Sequence, residues 1–438
     1  MFYRFVFFTS VLIVSILWID ILNPGLVKVT LPGYPAYVVV EPSKMALMLG
    51  SAGFGALVVF FGISVKATGE FFRNWKSSRE QLKDAKLHAL YSNGVNEILS
   101  RRNDLAASCF QKVLAMDPAH VDSLLRLGNI HHKNGDYTEA IRLHLRAHNL
   151  DEDNIEVLFA LALDYEDSRR TEDALQTLED VLEKDEDNLR AITRIRDIRQ
   201  RTGEFEKAEE AQQRVLKLSL PEKERQAEQH RLVGLKYETG RAFLEVGSLD
   251  KAKRSFKAVL KIDKDFVPAY LGLGEVLIEE DDTAEAASLW EDAYKNTGSI
   301  ILLHRLEDLY LKLSNPVKII NLYKEAVART PKNVNLTFFL GKLYYRLEMV
   351  DEAFDILSAI DSSTSQLTDL HKLLGNLYLR QGNQAKASEE FKKALAFSDQ
   401  HIVPYRCGNC EHFSPEWSGR CPRCGKWNTF GIDLDKYC

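Results

Sequence analysis

The 438-residue sequence has no strong excess of charge of either sign: 57 Lys and Arg against 63 Asp and Glu leave a net charge of −6. That balance argues against a chain built to coat nucleic acid, whose footprint is a strongly basic surface. The short signatures of catalysis are also missing. There is no Gly-rich phosphate cradle, no Gly-x-Ser-x-Gly, no His-Glu-x-x-His, and no carboxylate pair with an independent reason to act as acid and base. No enzyme activity is therefore expected, and His131 and His132 read as a packing and a surface residue of one helix. Cysteine is scarce, six in all. Cys109 lies in the apolar stretch Ala106-Ala107-Ser108-Cys109-Phe110 and reads as a small core residue. Cys438 reads as a free end.

The other four cysteines form two Cys-x-x-Cys knuckles ten residues apart, Cys407-Gly408-Asn409-Cys410 and Cys421-Pro422-Arg423-Cys424. Two residues between thiols let one tight turn present both sulfurs to one ion, and Gly408 and Gly425 are expected to relax the backbone there. Four thiolates close a tetrahedral shell at about 2.3 Å and suit zinc or a single rubredoxin-type iron. Such a shell has no open position for substrate, which points to structure, although iron would also permit electron transfer. Disulfide pairing of the same cysteines is the competing possibility, and the compartment decides it.

Residues 2–22 form an apolar run, interrupted by Arg4 and Asp20 and stopped by Asn23-Pro24-Gly25, that is long enough to span a bilayer. No small-residue cleavage site follows it, which argues against a signal peptide. A second apolar run, 45–65, carries Gly50, Gly53, Gly55 and Gly62, small residues that let the two helices of a hairpin pack closely. Lys66, Arg73, Lys76, Arg79, Lys83 and Lys86 follow it, whereas the intervening loop has only Lys28 and Lys44, so the positive-inside rule puts both termini in the cytoplasm. The loop, with Leu31-Pro32-Gly33-Tyr34-Pro35 between two β-rich stretches, predicts a small β-hairpin. A reducing cytoplasm keeps the four thiols available to metal. The expected division is a two-helix transmembrane hairpin over 1–65, a basic linker over 66–86, helical repeats over 87–400 and a metal ribbon over 401–438.

Between about Leu87 and Phe397 the chain repeats at 34 residues, the period of tetratricopeptide helix pairs. Small residues at the helix crossing fall at Ala106, Ala140, Ala174 and Ala208, then Ala252 and Ala286, then Ala353 and Ala387, with Ile319 in the intervening slot. Twelve residues before several of them stand Gly94, Gly128, Gly240, Gly274, Gly341 and Gly375, where paired helices come closest. Phe110, Leu178, Phe256, Trp290, Tyr323 and Phe391 follow the small residue by four, and Tyr165, Tyr310, Tyr344 and Tyr378 fill an aromatic slot on first helices. The count is nine repeats. Each helix pair has an apolar face too wide to bury alone, so stacking supplies the core of an all-α right-handed superhelix. One spacing stands out: Ala208 to Ala252 is 44 residues, with the excess near Pro221.

First helices of such repeats line a groove. By register, that groove includes Asn129, His132, Lys133, Arg190, Asp197, Arg201, Tyr237, Arg241, Phe338, Lys342, Arg346, Lys372, Asn376 and Arg380. Amide side chains there would bond a peptide backbone, and arginine and lysine would pair with carboxylates, so the expected occupants are protein partners.

Tyr405-Arg406-Cys407-x-x-Cys410, ten residues, then Cys421-Pro422-x-Cys424-x-x-Trp427, joined to the repeats and the apolar N-terminus, resembles the lipopolysaccharide assembly protein B family over about residues 87–430. The resemblance implies an inner-membrane adaptor that regulates lipopolysaccharide synthesis by presenting the deacetylase LpxC to the membrane protease FtsH. It also implies contacts with other lipopolysaccharide assembly proteins, and one iron or zinc held by Cys407, Cys410, Cys421 and Cys424. That family has one N-terminal membrane helix where this sequence has two apolar runs. The two-run stretch is similar to the small companion lipopolysaccharide assembly protein A, so a natural fusion is one reading. A membrane-tethered rubredoxin-type electron carrier and a general envelope scaffold are the alternatives, and a homodimer is compatible with each.

Overall fold

The computed structural model describes residues 44–360, 367–396 and 405–432, together with positions 10, 11, 14, 18, 21, 29–31 and 38–40. The chain divides into two compact units, 1–135 and 136–438.

In the first unit β1 (Val29–Leu31) pairs antiparallel with β2 (Val38–Val40), Leu31 opposite Val38, which is the expected hairpin. One uninterrupted helix of 56 residues follows, α1 (Lys44–Leu99). It carries the second apolar run, the basic stretch 66–86 and the first helix of the first repeat without a break. Among the described residues no helix is long and apolar enough to cross a membrane. The run 2–22 lies largely outside those residues, as do several side chains of 45–65. Two further helices, α2 (Asn103–Met116) and α3 (Val121–Lys133), complete the unit. His131 and His132 fall in the last turn of α3, and both are half-buried, so His132 is less exposed than a surface residue.

The second unit is likewise built of helices. It runs through α4 (Tyr137–Leu150), α5 (Ile155–Asp167), α6 (Thr171–Lys184), α7 (Leu189–Arg201) and α8 (Phe205–Lys217). Next come α9 (Glu222–Glu245), α10 (Leu249–Ile262), α11 (Val267–Glu279), α12 (Thr283–Thr297) and α13 (Ile300–Lys312). The last are α14 (Pro316–Arg329), α15 (Val334–Arg346), α16 (Val350–Ser358), α17 (Thr368–Arg380) and α18 (Gln384–Ala396). Side chains of Asn154, Asn188 and Asn333 accept N–H bonds at the starts of α5, α7 and α15 and so satisfy donors that the helix itself leaves open. Turns between paired helices close on a left-handed residue at Arg101, Gly135, Arg169, Gly203, Gly247, Asp281, Ser314, Glu348 and Gly382. Five of these nine carry a side chain, so glycine alone could not have located the turns.

The repeat anchors lie where the spacing put them. Ala106, Ala140, Ala174, Ala208, Ala252, Ala286, Ile319, Ala353 and Ala387 are all fully buried. The glycine series has a packing reason: a Cβ on Gly94, Gly240, Gly274 or Gly375 would come within 2.2–2.8 Å of the ring of Phe110, Phe256, Trp290 or Phe391. Where the glycine is replaced, the facing slot changes with it. Arg196 takes the glycine's place in α7 and meets Gln212 Oε1 at 2.8 Å, and Glu307 takes it in α13 and accepts a bond from the Tyr323 hydroxyl at 3.2 Å. Both replacements are buried, so each polar group must have such a partner.

Gly274→Ala is expected to force the Trp290 ring, whose indole N–H donates to Tyr270 O at 2.8 Å, off its site. A loss of about 2 kcal/mol in urea unfolding would measure that overpacking. In the last repeat, burial works against ionisation of Glu390, but bonds from His371 and Lys393 outweigh it and hold the carboxyl below its ordinary value. The stability this contributes is fully present above the unfolded value near about 4.3 and is lost as pH falls through the lower folded one. Acid titration followed by hydrogen exchange in α17 and α18 is therefore expected to show the last repeat loosening in that window, and Glu390→Gln should flatten the dependence.

Candidate metal centre and its seat on the repeats

After the last helix the chain forms a three-stranded ribbon in the order β4 (Phe413–Ser414), β3 (Tyr405–Cys407), β5 (Phe430–Ile432). Both neighbours pair antiparallel with β3, which sets Cys407 opposite Phe430. Each knuckle is a turn closed by the same bond: Glu411 N–H donates to Cys407 O at 2.9 Å and Gly425 N–H to Cys421 O at 2.8 Å. The residue just after each knuckle's second cysteine is left-handed, Glu411 at φ 58° and Gly425 at φ 69°. Gly425 therefore does what the sequence suggested. Gly408 does not: it is absent from the left-handed region, and in the first knuckle Glu411 carries the strained conformation.

The turns bring the four sulfurs within 4.8 Å of one another. Cys407 Sγ lies 3.8 Å from Cys424 Sγ, and Cys410 Sγ lies 3.6 Å from Cys421 Sγ. Tetrahedral bonds of about 2.3 Å imply sulfurs about 3.8 Å apart, whereas a disulfide needs about 2.05 Å. The four thiols thus fit one metal ion, and they are not oxidised pairs. Cys407 and Cys421 are buried, while Cys410 and Cys424 are half-buried.

The thiols differ in how readily they ionise. Burial opposes ionisation of Cys407, yet bonds from Thr429 and from the N–H groups of Cys410 and Asn409 bring it down to about 6. The N–H of Lys426 lowers Cys424. Burial, reinforced by the neighbouring thiols, pushes Cys410 up to about 12. A divalent cation is what allows all four to ionise together.

The ribbon's place on the array differs from expectation. A ribbon following directly on the last helix suggests a cap on the last repeat. Instead it folds back onto the middle of the second unit. The Trp427 indole N–H donates to Glu238 Oε1 at 2.7 Å, and Asn428 Nδ2 donates to Asp265 O at 3.0 Å. The Trp427 ring lies on Gly234 of α9, so close that a Cβ there would stand 2.2 Å from it. Tyr237, buried beneath Gly419, has its phenol pushed up to about 12 by that burial. Tyr405, Trp417 and Ile432 pack on the core built from α11 to α17.

The predicted groove residues differ in exposure and in pairing. Tyr237 and Phe338 are buried, Phe338 within the core. Most cations meet carboxylates nearby: Arg190 with Glu156 at 2.7 Å, Arg201 with Glu166, Arg241 with Glu245 at 2.7 Å and Arg346 with Glu307. Lys372 lies 3.8 Å from Asp369 and Arg380 lies 3.7 Å from Glu348, while Asp197 accepts from both Arg196 and Arg231. Asn129 and Lys133 are exposed on α3, His132 beside them is half-buried, and Lys342 and Asn376 are half-buried on α15 and α17. Register alone missed Gly234, Glu238 and Asp265. The available signal was Gly234, a mid-helix glycine six residues ahead of Gly240 and outside the repeat's own glycine series.

Comparison with known proteins matches these parts. A profile for the rubredoxin metal binding domain matches residues 405–431, and tetratricopeptide repeat profiles match 120–187, 237–299 and 371–401. Lipopolysaccharide assembly protein B of Escherichia coli (strain K12) is 21% identical over 383 residues, spanning 85% of this chain and 97% of that protein. Among solved structures, a crystal structure of MamA aligns at 22% identity over 39% of this chain and 94% of its own, with a TM-score of 0.31. Naa15/Naa10 bound to HypK-THB aligns at 11% identity over 72% and 64%, with a TM-score of 0.36. With tetratricopeptide helix pairs, a four-thiol ribbon and a relative aligned along nearly its whole length, the chain matches the lipopolysaccharide assembly protein B family.

Proposed function

We propose that the chain is a non-enzymatic adaptor of lipopolysaccharide assembly, tethered to a bacterial inner membrane by residues 1–65 with both termini and the repeats in the cytoplasm. The observation that carries this is the match to lipopolysaccharide assembly protein B, along 85% of this chain and 97% of that protein, together with a metal ribbon seated on helical repeats. Support for the tether comes from the sequence and from exposed apolar side chains near the N-terminus, among them Trp18, Ile21, Leu57, Phe60 and Ile63, which need a cover other than water. The adaptor would present LpxC to FtsH, with partners engaging Asn129, Lys133, Arg190, Arg201, Arg241, Lys342, Arg346, Lys372, Asn376 and Arg380 on first helices. Their existing ion pairs would then exchange for a partner's carboxylates, a cost that favours weak, reversible contacts.

Cross-linked membranes supply the test. Purification of the chain should recover a lipopolysaccharide-synthesis enzyme or a membrane protease, and recovery of neither contradicts the adaptor. A chain lacking 1–65 is expected to stay folded and to lose regulation at the membrane. The same four thiolates also suit an electron-carrying iron; a colourless, zinc-only protein removes that reading.

A further inference from the structure

The ten residues by which Ala208 to Ala252 exceeds the repeat have a visible consequence. Where α7, α11 and α13 each span 13 residues, α9 spans 24, and the added turns lie at its start. They are pinned, not loose: Glu228 Oε2 accepts from Arg196 and Gln212 at 2.8 Å, and Arg231 donates to Asp197 at 3.0 Å. One wall of a cavity of about 630 Å³ is made by Ala227, His230 and Arg231 from these turns. The opposite wall is the ribbon segment Cys424–Asn428, and the floor is Val233, Phe266 and Trp427. The size lies within the about 300–1,000 Å³ common for ligand sites.

The cavity exists only because an inserted helix segment faces a docked metal knuckle, so neither part contains it alone. Its chemistry is two-sided. The buried floor of Val233 and Phe266, with the half-buried Trp427 ring, is apolar. The rim carries Lys426, His230 and Arg231, the last also bonded to Asp197 at 3.0 Å, beside the acid Asp263, whose carboxylate accepts the Asp265 N–H at 3.0 Å. Lys426 is exposed and its ammonium bonds the neutral Asn409 Oδ1 at 2.7 Å.

We infer that this seam is a docking pocket for an acidic peptide segment of a partner protein, which inserts one aromatic or aliphatic side chain onto the Trp427–Phe266 floor and sets a flanking carboxylate on Lys426 and Arg231. Because both walls are needed, the peptide binds only the docked, metal-loaded form and holds the ribbon to the array by linkage. The inference does not depend on which proteins the adaptor serves.

The test uses the full chain, metal-loaded in detergent, and fluorescence anisotropy of dye-labelled Glu-Asp-Trp-Asp-Glu and Lys-Arg-Trp-Arg-Lys peptides. The acidic peptide is expected to bind saturably and the basic one not. Ala227→Trp, a substitution at an exposed helix position that fills the cavity, and Lys426→Glu are each expected to weaken binding at least about tenfold, the scale of one charge-assisted contact. Lys392→Glu, far along the chain on α18, should leave it unchanged, and metal content is measured for every variant. Stripping the metal should abolish binding. The proposal is overturned if the acidic peptide does not bind, binds Ala227→Trp and Lys426→Glu as well as the parent, or is matched by the basic peptide. Binding of free indole-3-acetate with the peptide's affinity would reassign the cavity to a small anion and equally overturn it.

Discussion

Cys421→Ser is expected to empty the metal site and unfold the ribbon while leaving most of the helical array intact. Cys421 is buried and stands 3.6 Å from Cys410 across the tetrahedron, and a serine hydroxyl cannot replace a thiolate in that shell. In so small a sheet, of strands two or three residues long, metal binding supplies the folding free energy, about 10 kcal/mol or more. Loss of the ribbon uncovers Val233, Tyr237 and Phe266, and removes Tyr405, Trp417 and Ile432 from the core of α11 to α17. The core of α5 to α8 includes no ribbon residue and should be unaffected. Metal analysis should therefore fall to background, exchange protection should vanish over 405–432, and helical circular dichroism should change little. Retained metal, or collapse of the whole array, would contradict this assignment of roles.

Gly234→Ala is expected to separate docking from metal binding. The added methyl would lie 2.2–2.6 Å from the Trp427 ring. The ring cannot swing aside without breaking its bond to Glu238, and the Arg420 guanidinium, 5.0 Å from the ring centre, closes another side. Relief comes from undocking, at a cost of about 2 kcal/mol or more, below that of removing a fully buried tryptophan because the ring is half-buried. The four cysteines are untouched, so this variant should hold its metal and yet lose the ribbon from α9. Limited proteolysis between α18 and β3 and exchange over residues 227–241 would report it. A variant that stays docked would show that the ring has room the packing does not reveal.

The two variants divide what the sequence made legible from what it did not. Helix pairing was legible because it is local: a buried small residue every 34 positions and a glycine twelve before it leave a periodic trace. The four ligands were legible for the same reason, each pair being the product of one turn. Turn positions were only partly legible, since Arg169, Asp281, Ser314 and Glu348 take left-handed backbone that glycine takes elsewhere. The seat of the ribbon was not legible. Trp427 and Glu238 are 189 residues apart, and no periodicity links them. Proximity in sequence to α18 pointed the wrong way, toward a cap. Gly234 and the lengthened α9 were the two irregularities that mark the seat, and each looks like an isolated exception until the ribbon is placed on them. The groove residues are a different case: register placed them on first helices, but whether a cation there is open or already paired depends on the adjacent repeat.

The most direct measurement of the central claim, that the metal fixes the ribbon across the middle repeats, is hydrogen exchange on the full chain with metal bound and after chelation. Chelation is predicted to deprotect residues 405–432 and the Ala227–Arg241 stretch of α9 together, with α5 to α8 unchanged. Deprotection of 405–432 with α9 unaffected would contradict it, because the ribbon would then fold with its metal without being held by it on the repeats.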